Sequence, residues 1–241
     1  KIYENPEELL SLSLGSSETT LLKLTNAYCS FVNGGKLLTP KFIDRIQDSE
    51  GNTIFNSEKR ECDGCNQISY LSKSIPKIKN NFKQIMSKET AYQMTSILEG
   101  TVKRGTAKGL KDLNLDLGGK TGTTNKNTDT WFIGFSSNYV IGVYIGYDEP
   151  SSLGKYETGA RTAMPIFKNF VKNAVQKNNA RPFKVPKGIT MLVVNSKTGK
   201  RASYNDDSII IEAFKQKDLV NNKIQYGNID YISKDNIYKF Y

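Results

Sequence analysis

Two runs of β-branched and aromatic residues, Thr130-Trp131-Phe132-Ile133-Gly134-Phe135 and Tyr139-Val140-Ile141-Gly142-Val143-Tyr144-Ile145-Gly146-Tyr147, are separated only by Ser136-Ser137-Asn138. Strand-forming runs joined by so short a polar turn predict an antiparallel pair. Both runs are apolar at nearly every position instead of alternating, so neither face of the pair can be left to water. Whatever else the chain forms must cover that pair from both sides.

Three amphipathic segments can do so. Leu21, Leu24, Tyr28, Phe31 and Val32 recur at helical spacing and predict a helix from about Thr20 to Val32, with Thr19 as its cap and Asn33-Gly34-Gly35 as its stop. Ser87 caps a second helix running to Lys103, whose apolar face is Ala91, Met94, Ile97, Leu98 and Val102; Arg104-Gly105-Thr106 ends it. Pro165 opens a third, with Ile166, Phe167, Phe170, Val171, Ala174 and Val175 as its stripe. Leu117–Thr124 and Thr190–Val194 read as further strands, and Lys41–Ile46 with Thr53–Phe55 as a hairpin around Ser49-Glu50-Gly51-Asn52. The predicted fold class is α+β, a mostly antiparallel sheet flanked by helices. Residues 1–180 form the main body, with 56–83 as a polar insertion. Residues 181–241 form an extended linker, one strand and a polar tail.

The chain has no histidine. Every mechanism that needs imidazole as base or metal ligand is thereby excluded, Ser-His-Asp and Cys-His sites included. A base here must be Lys, Asp, Glu or Tyr. The formal net charge of +10 favours anionic partners in general, but the lysines are scattered and form no dense basic run, so no nucleic-acid role is expected. Cys62-Asp63-Gly64-Cys65 cannot complete a four-ligand zinc site, and it reads either as a small loop disulfide or as two free thiols; Cys29 reads as a small core residue of the first helix. No cofactor or metal is expected. No apolar run is long enough to cross a bilayer. The opening Lys1–Pro6 has no signal-peptide character and no Met, which reads as a piece of something longer.

The informative stretch is Gly118-Gly119-Lys120-Thr121-Gly122-Thr123-Thr124. As a phosphate loop it fails, because Asn114 stands where the first glycine belongs and strand signals follow instead of a helix. As a strand it offers an edge to which an extended peptide can add itself. Gly122 allows close approach of the ligand backbone. Thr121 and Thr123 offer hydroxyls to a terminal carboxylate, Lys120 brings a positive charge, and the backbone N–H just past Gly122 can donate to an oxyanion. The tripeptide alone is weak evidence, since Lys197-Thr198-Gly199 repeats it in what reads as a turn.

The surroundings are more specific. The Lys120 stretch, then Asp129-Thr130-Trp131-Phe132-Ile133-Gly134-Phe135, then Val143-Tyr144-Ile145-Gly146-Tyr147-Asp148, resembles the Lys-Thr-Gly strand and following strands of class A penicillin-binding proteins. Leu12-Ser13-Leu14-Gly15-Ser16-Ser17-Glu18, Asn33-Gly34-Gly35, Arg104-Gly105-Thr106-Ala107 and Thr158-Gly159-Ala160-Arg161-Thr162-Ala163-Met164-Pro165 are similar to the same family in the same order. The resemblance implies that residues 1–180 are the C-terminal part of a penicillin-binding transpeptidase domain, with part of its serine β-lactamase-like fold. It also implies a parent enzyme with an N-terminal membrane anchor and a glycosyltransferase domain, placed at the outer, periplasmic face of the bacterial cytoplasmic membrane. There the transpeptidase domain cross-links stem peptides ending in D-Ala-D-Ala and is acylated by β-lactam antibiotics. By resemblance Lys120 is the third-motif lysine, Thr123 the backbone oxyanion donor, and Lys120, Thr121, Gly122, Thr123 and Thr124 the substrate-binding set.

In that family the nucleophile motif Ser-x-x-Lys and the motif Ser-x-Asn lie upstream of the segment resembling Leu12–Glu18. The residues ahead of Leu12 contain neither, and Ser72-Lys73 and Ser87-Lys88 have the wrong spacing and order. Both motifs, and hence the nucleophile, are expected to be absent from this chain; Ser16 and Ser17 read as turn residues. The chain alone is then expected to be inactive and to need the upstream part of its parent. The alternative is a non-catalytic module that binds peptidoglycan or a partner.

Overall fold

The computed structural model describes residues 2–3, 6, 8–58, 60–65, 75–79, 82–175 and 181–220. After a 3-10 turn at Leu10–Leu14, where a loop was expected, the elements run α1 (Leu21–Val32), β1 (Arg45–Gln47), β2 (Thr53–Asn56), β3 (Cys62–Asp63), β4 (Lys77–Ile78), α2 (Lys88–Lys103), β5 (Gly118–Thr123), β6 (Asp129–Phe135), β7 (Val140–Gly146), α3 (Ala163–Ala174), β8 (Ile189–Asn195), β9 (Ile209–Lys215) and α4 (Gln216–Val220). The fold class is α+β, as expected.

The central sheet is β5-β6-β7, antiparallel throughout. Its register puts Lys120 opposite Ile133 and Ile133 opposite Gly142, so these three share one face. That face is the α1–α2 side: at Gly142 an added Cβ would meet Thr25 and Leu21 of α1, and at Gly118 it would lie 3.1 Å from the Glu99 amide of α2. Thr121 and Phe132 belong to the other face, where the Phe132 ring packs edge-on against Phe167 of α3 at 5.0 Å. Phe132 and Phe167 are fully buried, as are Leu110, Leu117 and Val171, and Val102 is buried beside them. The requirement for cover on both faces is thus met by α1 and α2 on one side and α3 on the other.

The caps follow from local chemistry. Ser87 accepts from the Thr90 amide, as expected. For α1 the cap is Thr20, whose hydroxyl accepts from Lys23 N; Thr19 instead donates to the Ile2 carbonyl. The hairpin at Arg45–Asn56 is shorter than expected. The insertion holds a two-residue ladder, and Cys62 and Cys65 are joined as a disulfide. Cys29 is half-buried, with its thiol pushed up by burial. The stretch beyond Gly199, expected to be polar and irregular, carries β9, which pairs with β8 over seven residues. This hairpin docks on α2 through Gln93 to the Ala213 carbonyl at 3.0 Å, Lys215 to Thr90 at 2.8 Å, and an Arg104–Glu212 ion pair. The expected linker is no free tether: the Phe183 ring lies 5.6 Å from that of Phe135. The end of the polar tail, 221–241, lies outside the described residues.

Candidate substrate-binding edge

Among the described residues, β5 pairs on one side only, with β6. In an antiparallel ladder alternate residues turn their amide groups toward the partner and away from it. Two side-chain contacts show which residues turn away. The Thr101 hydroxyl lies 2.7 Å from the Gly119 carbonyl oxygen, and the Lys120 ammonium donates to the Thr121 carbonyl at 2.7 Å. Gly119, Thr121 and, by the same alternation, Thr123 therefore aim their backbone groups at the unpaired edge. Gly118 and Gly119 are buried, Lys120 and Thr123 are exposed, and Thr121 and Gly122 are intermediate. The last turn of α2 closes the edge at Gly119 and leaves it open from Thr121 onward.

The side chains expected to act flank that edge from both sides, Lys120 from the α1–α2 face and Thr121 and Thr123 from the α3 face, each in its own setting. Lys120 uses one of its three ammonium protons on Thr121. The Thr123 hydroxyl accepts from the Gly159 amide at 3.1 Å, which leaves its own proton available. The Thr121 hydroxyl lies 3.4 Å from that of Thr106. Gly122 sits opposite Trp131, and an added Cβ would come 3.1 Å from that side chain. Thr124 is placed differently: its hydroxyl accepts from the Thr128 and Asp129 amides at 3.0 and 2.9 Å and so locks the β5–β6 turn. Beside that turn Tyr144 donates to Asp129 at 2.7 Å, and this bond raises the Tyr144 pKa above its ordinary value.

Sequence reasoning missed the two loops that serve the edge. Gly159 lies against the sheet so closely that a Cβ would approach Trp131 O to 2.5 Å and Gly122 O to 2.7 Å. Thr130, fully buried, and Thr162 share a 2.7 Å hydroxyl contact that pins the same loop. Thr106 was quoted only for its resemblance. The signal that could have found them was the small-residue runs Arg104–Ala107 and Thr158–Ala163 flanking apolar elements.

The strand runs unbroken from Gly118 to Thr123, so no helix opens at Lys120 to cradle a phosphate. Lys197-Thr198-Gly199 is a turn, with Asn195 Oδ1 accepting from the Lys197 and Thr198 amides. One expectation needs correction. Ser-x-x-Lys does occur as a bare string, at Ser74-Ile75-Pro76-Lys77 and Ser152-Leu153-Gly154-Lys155, as does Ser-x-Asn, at Ser136-Ser137-Asn138 and Ser203-Tyr204-Asn205. Ser74 lies outside the described residues. Ser152 is in a loop and accepts from the Gly154 amide, with no helical turn to set Lys155 over it. Ser136 accepts from the Asn138 and Tyr139 amides in the β6–β7 turn, next to the partner of Gly118 and so at the far end of β5 from Thr123. The Ser203 amide donates to Asp206 in a turn. Ser16 donates to Ser11 in the turn after Leu14. Ser152, Ser136, Ser203 and Ser16 all lie in loops or turns.

The model of the family Penicillin binding protein transpeptidase domain matches residues 3–172. The chain belongs to the penicillin-binding protein transpeptidase family. Penicillin-binding protein 1A of Rickettsia conorii is 40% identical to this chain over 96% of it, and that of Rickettsia typhi is 42% identical over 96%. The chain spans about 30% of the length of these curated relatives. Among solved structures, penicillin-binding protein 1A from Haemophilus influenzae superposes with a TM-score of 0.70 at 25% identity, covering 92% of this chain and 34% of that one. The PonA1 protein from Mycobacterium tuberculosis, solved in complex with penicillin V, shares the fold at 21% identity with a TM-score of 0.53, covering 73% of this chain and 43% of that one. Within the described residues no helix is long and apolar enough to cross a membrane.

Proposed function

We propose that this chain is the sheet portion of a serine D,D-transpeptidase that cross-links peptidoglycan stem peptides and is acylated by β-lactams. The observation that carries the reading is the open edge from Thr121 to Thr123 with the Lys120 ammonium at its start. An extended D-Ala-D-Ala peptide adds itself along that edge by backbone hydrogen bonds. The hydroxyls of Thr121 and Thr123 and the charge of Lys120 hold its terminal carboxylate. The Thr123 N–H, turned outward, is placed to donate to the oxygen that becomes negative as the acyl carbon turns tetrahedral. Thr124 acts by fixing the turn that ends the strand. The work is done at the outer face of the bacterial cytoplasmic membrane, in a parent protein whose anchor and nucleophile lie in other residues.

A fluorescent penicillin followed by denaturing electrophoresis tests this. The parent protein is expected to carry the label, its Lys120→Ala variant to label at least about a hundredfold more slowly, and the chain alone to stay dark. A labelled band from the chain alone would contradict the placement of the nucleophile elsewhere. A parent that never labels would favour a non-catalytic binding module.

A further inference from the structure

Arg104, Gly105 and Ala107, at and just past the end of α2, are each fixed by a different contact. The Arg104 guanidinium lies over Gly100, where an added Cβ would come 2.9 Å from it, and pairs with Glu212 of β9. Gly105 is wedged against the helix, since a Cβ there would lie 2.8 Å from the Thr101 Cα. Ala107 is fully buried, and its amide donates to the Thr101 carbonyl at 3.0 Å. Thr106 stands between these fixed points. It is exposed, and its hydroxyl faces that of Thr121.

We propose that Thr106 is a positioning residue for Thr121, donating a hydrogen bond to the Thr121 oxygen so that the Thr121 proton points along the open edge toward a bound carboxylate. The inference rests on the carboxylate-binding reading given above. A threonine hydroxyl has one proton and two lone pairs, and left alone it rotates freely. A donor on one lone pair removes orientations in which the proton faces that donor, and it polarises the outgoing O–H. Thr123 shows the same arrangement, with the Gly159 amide as the donor. Each ligand-facing hydroxyl of β5 is thus met from behind by a group from a neighbouring loop. At 3.4 Å the Thr106–Thr121 contact is long for O–H···O. An anion drawing on the Thr121 proton shortens it, as contacts of this kind tighten once the ligand is bound.

The test compares acylation of the parent protein by benzylpenicillin and by its methyl ester, which lacks the carboxylate. Thr106→Val is expected to slow benzylpenicillin about five- to tenfold, to leave the slower ester reaction within about twofold, and Thr106→Ser to restore the rate. Thr106→Ala repeats the comparison without added bulk at the strand. An equal loss for both substrates means a structural role only and overturns the inference, as does an unchanged benzylpenicillin rate. If the wild type reacts equally fast with acid and ester, the carboxylate reading itself fails; that outcome is visible before any variant is made.

Discussion

The Thr101 hydroxyl sits 2.7 Å from the Gly119 carbonyl oxygen, and this contact divides β5 into a covered half and an open one. The same hydroxyl is 2.8 Å from the Leu98 carbonyl of its own helix. It has one proton to give, so the helix competes with the strand for it. Replacing Thr101 with Val leaves the Gly119 carbonyl without its side-chain donor. We expect a loss of about 1 kcal/mol in urea unfolding, together with slower penicillin acylation as the α2 end loosens from the edge. Unchanged stability would mean that the proton is spent on Leu98.

Gly159 has no room for a side chain. A Cβ would press within 2.5–2.7 Å of two sheet carbonyls, those of Trp131 and Gly122. Backbone cannot swing aside as a long side chain can, so Gly159→Ala must lift the loop and, with it, the amide that Thr123 accepts. The expected cost is about 1–3 kcal/mol in stability, with acylation by penicillin falling alongside. A variant as stable and as reactive as wild type would show that the loop has slack.

Thr25 of α1 holds a buried hydroxyl with no hydrogen-bond partner among the described residues, directly over Gly142. Burying such a group unpaired is unfavourable, whereas a methyl of the same shape is not. Thr25→Val is therefore expected to raise the midpoint of thermal unfolding, by about 1 kcal/mol equivalent in stability. A lowered midpoint would reveal a partner for the hydroxyl.

Glu99 is mostly buried beside β5, and burial raises its carboxyl pKa despite the 3.0 Å ion pair to Lys103. A carboxyl whose folded pKa is raised binds more protons folded than unfolded, so stability falls as pH rises from the unfolded value through the folded one. Glu99→Gln removes that slope. The variant is expected to gain on wild type between pH 4 and pH 7 in a series of thermal melts. A gain that shrinks over that interval would show the Lys103 pair outweighing burial.

The elements legible in the sequence were those whose apolar residues keep a single period. β6 and β7 declared themselves through unbroken apolar runs, and α2 and α3 through their stripes. The hairpin partner β9 was not legible, because Ile209-Ile210-Ile211 lies between charged and polar residues and its cover comes from α2, more than a hundred residues earlier. The Thr19 cap was displaced by one residue because either threonine can accept at a helix start and only packing chooses between them. At the edge, the motif singled out Lys120, Thr121, Gly122 and Thr123, which the fold carries on one strand. Thr106 and Gly159 were not, since their contacts with β5 join loops 15 to 37 residues distant along the chain. That the Thr124 hydroxyl accepts from the Thr128 and Asp129 amides was not legible, because a strand pattern gives no sign of where the turn begins.

The openness of the Thr121–Thr123 edge can be read amide by amide by hydrogen exchange in the parent protein, before and after acylation with penicillin. The account expects the Lys120 and Gly122 amides, turned toward β6, to exchange slowly in both states. The Thr121 and Thr123 amides should exchange fast in the free protein, and that of Thr123 should slow once the acyl group occupies the edge. Slow exchange at Thr121 and Thr123 without ligand, or no slowing at Thr123 with it, would contradict the account.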